Sequence, residues 1–271
     1  MIKLMYITNN PHVALIGERC GVDRLWVDME WMGKEERQPG MDTVKSHHTQ
    51  EDISALREVL TKSQLMVRVN PIHDKSKEEV REAINRGAEI VMLPMWKTED
   101  EVKRFIEYVD GKAVVNLLLE TKEALEGLYQ IVKIPGIDEV HIGLNDLHLS
   151  MHKKFMFELL SDGTVDHICN VLRNNHIKYG FGGIGRIGSG ALPAEYILSE
   201  HVRLGSSMVI LSRTFCNLNN VSDWNALEVS FRTGIHDLRL AERLYQQIGV
   251  VGLGQLHKDE MACVENIVEK I

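Results

Sequence analysis

Short apolar runs rich in Val, Ile and Leu recur along the chain, and each is followed by a segment whose charged residues fall at helical spacing. The runs predict strands over residues 2–7 (IKLMYI), 24–28 (RLWVD), 65–69 (LMVRV), 89–93 (EIVML), 113–119 (AVVNLLL), 138–142 (DEVHI), 177–181 (IKYGF) and 207–211 (SMVIL). Between them EDISALREVL, KEEVREAINRG and EDEVKRFIEYV read as amphipathic helices, two of which close on Gly or Asp-Gly. Near-continuous apolar strands mark a parallel sheet covered on its faces, and eight strand–helix units suit a closed (β/α)8 barrel of the TIM type. A doubly wound open sheet is the structural alternative.

After the eighth strand, residues 222–246 form a long amphipathic segment, and GVVGLGQ separates it from a final helix, HKDEMACVENIVEKI. The expected organisation is a catalytic barrel over 1–221 with a C-terminal helical extension of the same domain over 222–271. That is more helix than a barrel needs, so the extension is expected to pack on a partner subunit.

Composition narrows the partners. A 44% apolar content over 271 residues supports a sizeable core, and a net charge of −8 without a long basic run argues against nucleic acid. Cys20, Cys169, Cys216 and Cys263 are far apart and form no CxxC pair, which fits reduced thiols in a cytoplasmic protein. The N-terminus has no signal-peptide pattern, and no run reaches the ~18 apolar residues of a membrane span. Small molecules are the expected ligands.

In such a barrel the C-terminal strand ends converge on one mouth, so polar residues there belong together although distant in sequence. Strand 2 offers Asp28 and Glu30 in WVDMEW, strand 3 Arg68 and Asn70 in VRVNP, strand 5 Glu120 in NLLLET, and strand 6 Asn145 and Asp146 in HIGLNDL. Glu120 and Asp146, with water and substrate oxygens, can complete an octahedral shell for Mg²⁺ or Mn²⁺. Arg68 can grip a carboxylate through two parallel hydrogen bonds and offset developing enolate charge. Taken singly, each has an ordinary structural reading: Glu120 or Asp146 as a cap for the following helix, Arg68 as an ion-pair partner of Glu30.

The segments GVDRLWVDMEW, VRVNP, GAEIVMLPM, LLLETKEAL, IPGIDEVHIGLNDL and GSSMVILSRT stand in an order and spacing that resemble the HpcH/HpaI aldolase and citrate-lyase β-subunit family, over about residues 4–215. The resemblance implies a divalent metal at Glu120 and Asp146 (Mg²⁺ or Mn²⁺, with Co²⁺ a third candidate), and a 2-oxo acid such as pyruvate chelated to it. It implies Arg68 on the substrate, and backbone amides around Gly143, Leu144 and Asn145 on the pyruvate carboxylate. It also implies a homo-oligomer, often with a barrel helix exchanged between subunits. Two positions depart from the pyruvate-aldolase pattern: Trp31 stands where an acid–base histidine follows the strand-2 Asp-x-Glu, and Leu118 replaces a glutamine. VRVNP is closer to the citrate-lyase-like branch, which uses acyl thioesters.

The long loop over residues 31–52 contains His47 and His48, either of which can supply the base, oriented by Asp28 or Glu30. Lys34, Arg37 and Gln38 in that loop can hold an anionic substrate tail, and Trp31 can give an apolar or sugar-stacking surface. GFGGIGRIGSG contains a formal GxGxxG but follows the seventh strand without opening a dinucleotide-binding unit. His148 and His152 lack a third zinc ligand, and Lys97 reads as an exposed helix-entry lysine. The expected function is therefore a metal-dependent carbon–carbon lyase or aldolase acting on a 2-oxo acid. An acyl-CoA lyase and a non-catalytic ligand-binding member are the alternatives.

Overall fold

The computed structural model describes residues 1–33, 48–216 and 223–271. His47, Lys34, Arg37 and Gln38 lie outside the described residues. Eight strands form the barrel: β1 (Lys3–Ile7), β2 (Arg24–Asp28), β3 (Gln64–Arg68), β4 (Ile90–Leu93), β5 (Val114–Leu119), β6 (Glu139–Ile142), β7 (Lys178–Ile184) and β8 (Met208–Leu211). Each pairs in parallel with the next, and β8 returns to β1 through Leu4↔Val209, so the sheet is a closed barrel.

The helices among the described residues are α1 (Pro11–Cys20), α2 (Gln50–Val59), α3 (Ser76–Asn85), α4 (Glu99–Val109), α5 (Lys122–Glu126), α6 (Leu128–Ile131), α7 (Leu144–Ser150), α8 (Glu158–Ser161), α9 (Thr164–Asn174), α10 (Ala194–Leu204), α11 (Trp224–Gln247) and α12 (Gly249–Val268). Their starts follow the capping chemistry in the sequence. Thr49 with Asp52 and Thr98 with Glu101 form capping boxes for α2 and α4.

Alternation along the strands divides the core in two. Leu25, Val27, Leu65, Val67, Val91 and Leu93 point outward into a large cluster beneath the helices. Their neighbours Trp26, Met66, Ile90 and Met92 join Met5, Leu118 and Met208 in a separate interior cluster. Both faces are apolar, which is why the strands read as unbroken hydrophobic runs.

Below that cluster, at the N-terminal end of the strands, buried Arg24 reaches across to buried Glu139 with bonds of 2.6 and 2.8 Å. Asn116 donates to the same carboxylate at 3.3 Å. Gly180 is confined to glycine, because a Cβ there would lie 2.1 Å from the Met208 carbonyl oxygen. The register shifts between Gly180 and Gly183, and β7 extends to Ile184, three residues beyond its predicted end.

The C-terminal helices pack on the barrel. Phe231, Ile235 and Leu238 of α11 are buried, with Phe231 edge-on to Tyr6 at 5.2 Å, and Glu242 accepts the Ile2 amide hydrogen at 2.7 Å. GVVGLGQ does not separate two helices, contrary to expectation: it is the opening of α12, and the chain breaks only around Ile248 and Gly249. Burial of Leu253 from within that run overrides its poor helix propensity.

Candidate active site

The site grows from the C-terminal ends of β2, β3, β5 and β6. Asp28 and Arg68 end adjacent strands and are register partners, which sets their side chains side by side facing inward. Arg68 donates from Nε and Nη2 to the two Asp28 oxygens, both at 2.8 Å, while Nη1 lies 3.3 Å from Glu30. The guanidinium also stands over Trp26, 5.2 Å from the ring centroid. The fork expected to grip a substrate carboxylate is thus engaged by Asp28.

Glu120 leaves β5 buried, with Oε1 accepting the Met95 amide hydrogen at 3.0 Å. It does not cap α5. Thr121 does, accepting from Ala124 N at 3.1 Å. Burial, then the nearby charges of Glu30 and Asp146, raise the Glu120 carboxyl well above the usual carboxylate range, against the opposing pull of Arg68. Asp146 lies in the first turn of α7, whose cap position is Gly143, so it is not the cap either. The amides of Leu144 and Asn145 open that turn, where backbone donors have no carbonyl partner within the helix.

Arg68, Glu120, Gly143, Leu144, Asn145 and Asp146 line one cavity of about 170 Å³, floored by Trp26, Leu118 and Ile210. Two larger grooves, of about 600 and 730 Å³, lie on the helix layer and at the N-terminal strand ends, away from these acids. The small cavity is where the strand-end chemistry gathers.

The remaining predicted residues fall around its rim. His48 is half-buried, and its Nδ1 accepts the Asp28 amide hydrogen at 2.9 Å. Of the two acids expected to orient this histidine, Asp28 meets it through its backbone amide. Trp31 is 67% exposed and does not line the cavity. Its amide and that of Met32 donate to Asn70 Oδ1 at 3.0 and 3.1 Å, and Asn70 donates to Glu79 at 2.7 Å. Lys97 pairs with Glu123 at the surface, at 3.1 Å.

Among the described residues no three His, Cys, Asp or Glu side chains form a metal cage. Glu120 and Asp146 nonetheless suit a hard cation that takes one or two protein carboxylates and keeps other positions for water or substrate. Gly143 leaves room beside them: a Cβ there would sit 2.9 Å from Glu120 Oε2.

A family model described as HpcH/HpaI aldolase/citrate lyase matches residues 3–158, more than half of the 271-residue chain. The chain belongs to this family. The match spans β1 through the start of α8 and so takes in every residue of the candidate site named above except the β7 and β8 walls. Solved structures share the fold. An HpcH/HpaI aldolase from Desulfitobacterium hafniense DCB-2 has a TM-score of 0.61 at 15% identity, over 88% of this chain and 93% of that one. An HpcH/HpaI aldolase/citrate lyase family protein from Burkholderia cenocepacia J2315 has the same score and identity, over 88% and 94%. The citrate synthase SbnG matches at 0.61 and 14% identity, over 86% and 92%. No curated protein matches.

Members of the HpcH/HpaI family are lyases and aldolases that bind small molecules, and membership supports an enzymatic role for this α/β barrel. Among the described residues, no helix is long and apolar enough to cross a membrane. Besides apolar and glycine wall residues such as Trp26, Met156, Gly182 and Ile210, one titratable lining residue escaped the sequence reading: His141, on β6, whose inward direction was legible from its even spacing to Glu139 and Gly143.

Proposed function

We propose that this family member is a divalent-metal-dependent carbon–carbon lyase or aldolase acting on a 2-oxo acid, with Glu120 and Asp146 holding the metal and its substrate in the 170 Å³ cavity. One observation carries the reading. Arg68 pairs with Asp28 and Glu30, Glu120 and Asp146 line the same cavity, and burial, then the charges of Glu30 and Asp146, disfavour the Glu120 anion. Such a cluster gains from a bound cation.

Glu120 and Asp146 would hold a divalent cation, which would supply Lewis-acid polarisation of the 2-oxo acid carbonyl. Arg68, held rigid by Asp28, adds a fixed positive charge at the cavity wall without reorganising during the reaction. The first-turn amides of α7 meet the substrate carboxylate. His48 is assigned the proton on the substrate hydroxyl. With Nδ1 accepting from Asp28 N–H, neutral His48 carries its proton on Nε2, so to act as a base the ring turns and frees Nδ1. The bond given up is a neutral one worth about 1 kcal/mol. A homo-oligomer and a cytoplasmic location belong to the same reading. Val250 and Val251 of α12, each 88% exposed, support the first.

The test is calorimetric titration of Mg²⁺, Mn²⁺ and Co²⁺ into metal-stripped protein, with and without oxalate as an enolate analogue. The expected result is binding that oxalate tightens, with both effects lost in Glu120→Ala. Wild-type protein that binds neither metal nor oxalate overturns the reading in favour of a non-catalytic member. In retro-aldol assays His48→Ala should lose roughly 10²–10⁴-fold in kcat with metal affinity kept, and full activity removes His48 from the mechanism.

A further inference from the structure

Beneath the acids, β6 carries a titratable group that the mechanism leaves unused. His141 stands two residues from Glu139 and two from Gly143, on their inward face. It is fully buried, and its ring forms part of the wall of the cavity that holds Glu120, Asp146 and Arg68. Nε2 lies 3.1 Å from the Gly182 carbonyl oxygen. A carbonyl only accepts, so Nε2 carries the ring proton and Nδ1 is a bare acceptor.

That acceptor is buried and has no hydrogen-bond partner among the described residues. Burial pushes the imidazole down to about 4, with Arg24 and Arg68 acting in the same direction, so the ring is neutral near pH 7. Leu118 and Ile210 in the surrounding wall carry no polar side-chain atom, and Trp26 carries only an N–H donor. His141 Nδ1 and the carboxylates of Glu120 and Asp146 are side-chain acceptors that a ligand hydroxyl can reach from this wall. Pyruvate cannot satisfy Nδ1, because its carboxylate and carbonyl oxygens accept and its methyl group does neither. A hydroxyl can.

We propose that His141 is a substrate-positioning, specificity-determining residue whose Nδ1 accepts a hydrogen bond from a hydroxyl of the bound acid, so that the site prefers a hydroxylated 2-oxo acid to its plain counterpart. This rests on the 2-oxo acid reading above. A site built around a buried polar atom discriminates against ligands that leave that atom unpaired far better than an apolar pocket discriminates by size.

Pyruvate and hydroxypyruvate differ by the one hydroxyl and are the probes, titrated by calorimetry in the presence of Mn²⁺. Wild-type protein should bind hydroxypyruvate roughly tenfold more tightly, the effect of one neutral hydrogen bond. His141→Asn keeps an acceptor at the Nδ1 position and should keep most of the preference. His141→Gln, which places its amide near the Nε2 position, and His141→Phe should bind the two acids alike. Equal wild-type affinities, or a preference that survives in both Gln and Phe variants, overturns the assignment. Wild-type protein that takes neither acid overturns the 2-oxo acid reading and this one with it. Because a buried substitution can prevent folding, ¹⁵N NMR of wild-type imidazoles gives an independent arm. The His141 Nδ1 resonance should move with hydroxypyruvate and not with pyruvate, and an unmoved resonance in both titrations overturns the proposal.

Discussion

Glu120 takes its character from the residues on either side of it. Met95 donates to one oxygen, Glu30 and Asp146 repel its charge, and Gly143 leaves the space beside the other oxygen clear. Gly143→Ala puts a methyl group 2.9 Å from both Glu120 Cβ and Oε2, so the carboxylate must move. The expected outcome is a roughly 10–100-fold loss of Mn²⁺ affinity by calorimetry, as for a disturbed outer shell, with overpacking that costs about 1–3 kcal/mol in thermal unfolding. Unchanged affinity would remove Glu120 from the metal site. That Arg68, Glu120, Gly143, Leu144, Asn145 and Asp146 share one cavity was legible in the sequence because strand ends in a barrel converge whatever their separation along the chain, whereas Trp31 stays out of it and His141 was missed. The Arg68–Glu30 ion pair was legible too, but the two-pronged bond from Arg68 to Asp28 was not. Whether Arg68 grips Asp28 or Glu30 depends on lateral strand register, which fixes Asp28 opposite Arg68. Trp31, expected at the mouth from its place after the strand-2 Asp-x-Glu, turns outward, with Asn70 holding its backbone from the side.

Among elements, strands were legible to within a residue or two because both sides of each are apolar, and β7 overran its prediction only where glycines permit a bulge. The C-terminal helices were harder, since their partners lie far away in sequence. Glu260 of α12 is buried, and neither oxygen has a hydrogen-bond partner among the described residues; it lies beside Glu200 and Arg203 of α10 and Asp166 of α9, with His257 of its own helix 3.9 Å away. Arg203 is already held by Asp166 and Glu200. Burial and the Glu200 charge raise the Glu260 carboxyl to about 8. The folded state therefore keeps a proton that the unfolded chain releases near the ordinary carboxylate value. Stability is fully present below that value, falls by up to about 1.4 kcal/mol per pH unit as pH rises toward 8, and levels off above it. Glu260→Gln should remove this component: Tm unchanged relative to wild type at pH 4, and a gap in favour of the variant that widens up to pH 8. A gap that stays constant with pH would show that Glu260 is ionised in the folded protein throughout.

For the whole molecule, the interior is layered: Arg24 and Glu139 near the strand starts, methionines and Trp26 in the middle, Arg68 and the acids at the mouth. The lower pair is buried, so removing one partner strands a charge. Glu139→Ala should destabilise the protein by about 3–5 kcal/mol in chemical denaturation, and joining it to Arg24→Met should recover most of that loss. A double variant no more stable than the single one would mean that the pair contributes through packing alone. The family model stops at residue 158, yet the barrel closes only when β7 and β8 return to β1. Arg24 and Glu139 also lie 115 residues apart, on strands that do not pair with each other. Neither half of the chain can neutralise its own buried ion. A ribosome that has released only the first four strands therefore holds a guanidinium without its acid. Closure of the barrel, the step that buries that guanidinium, also brings in the strand that carries its acid.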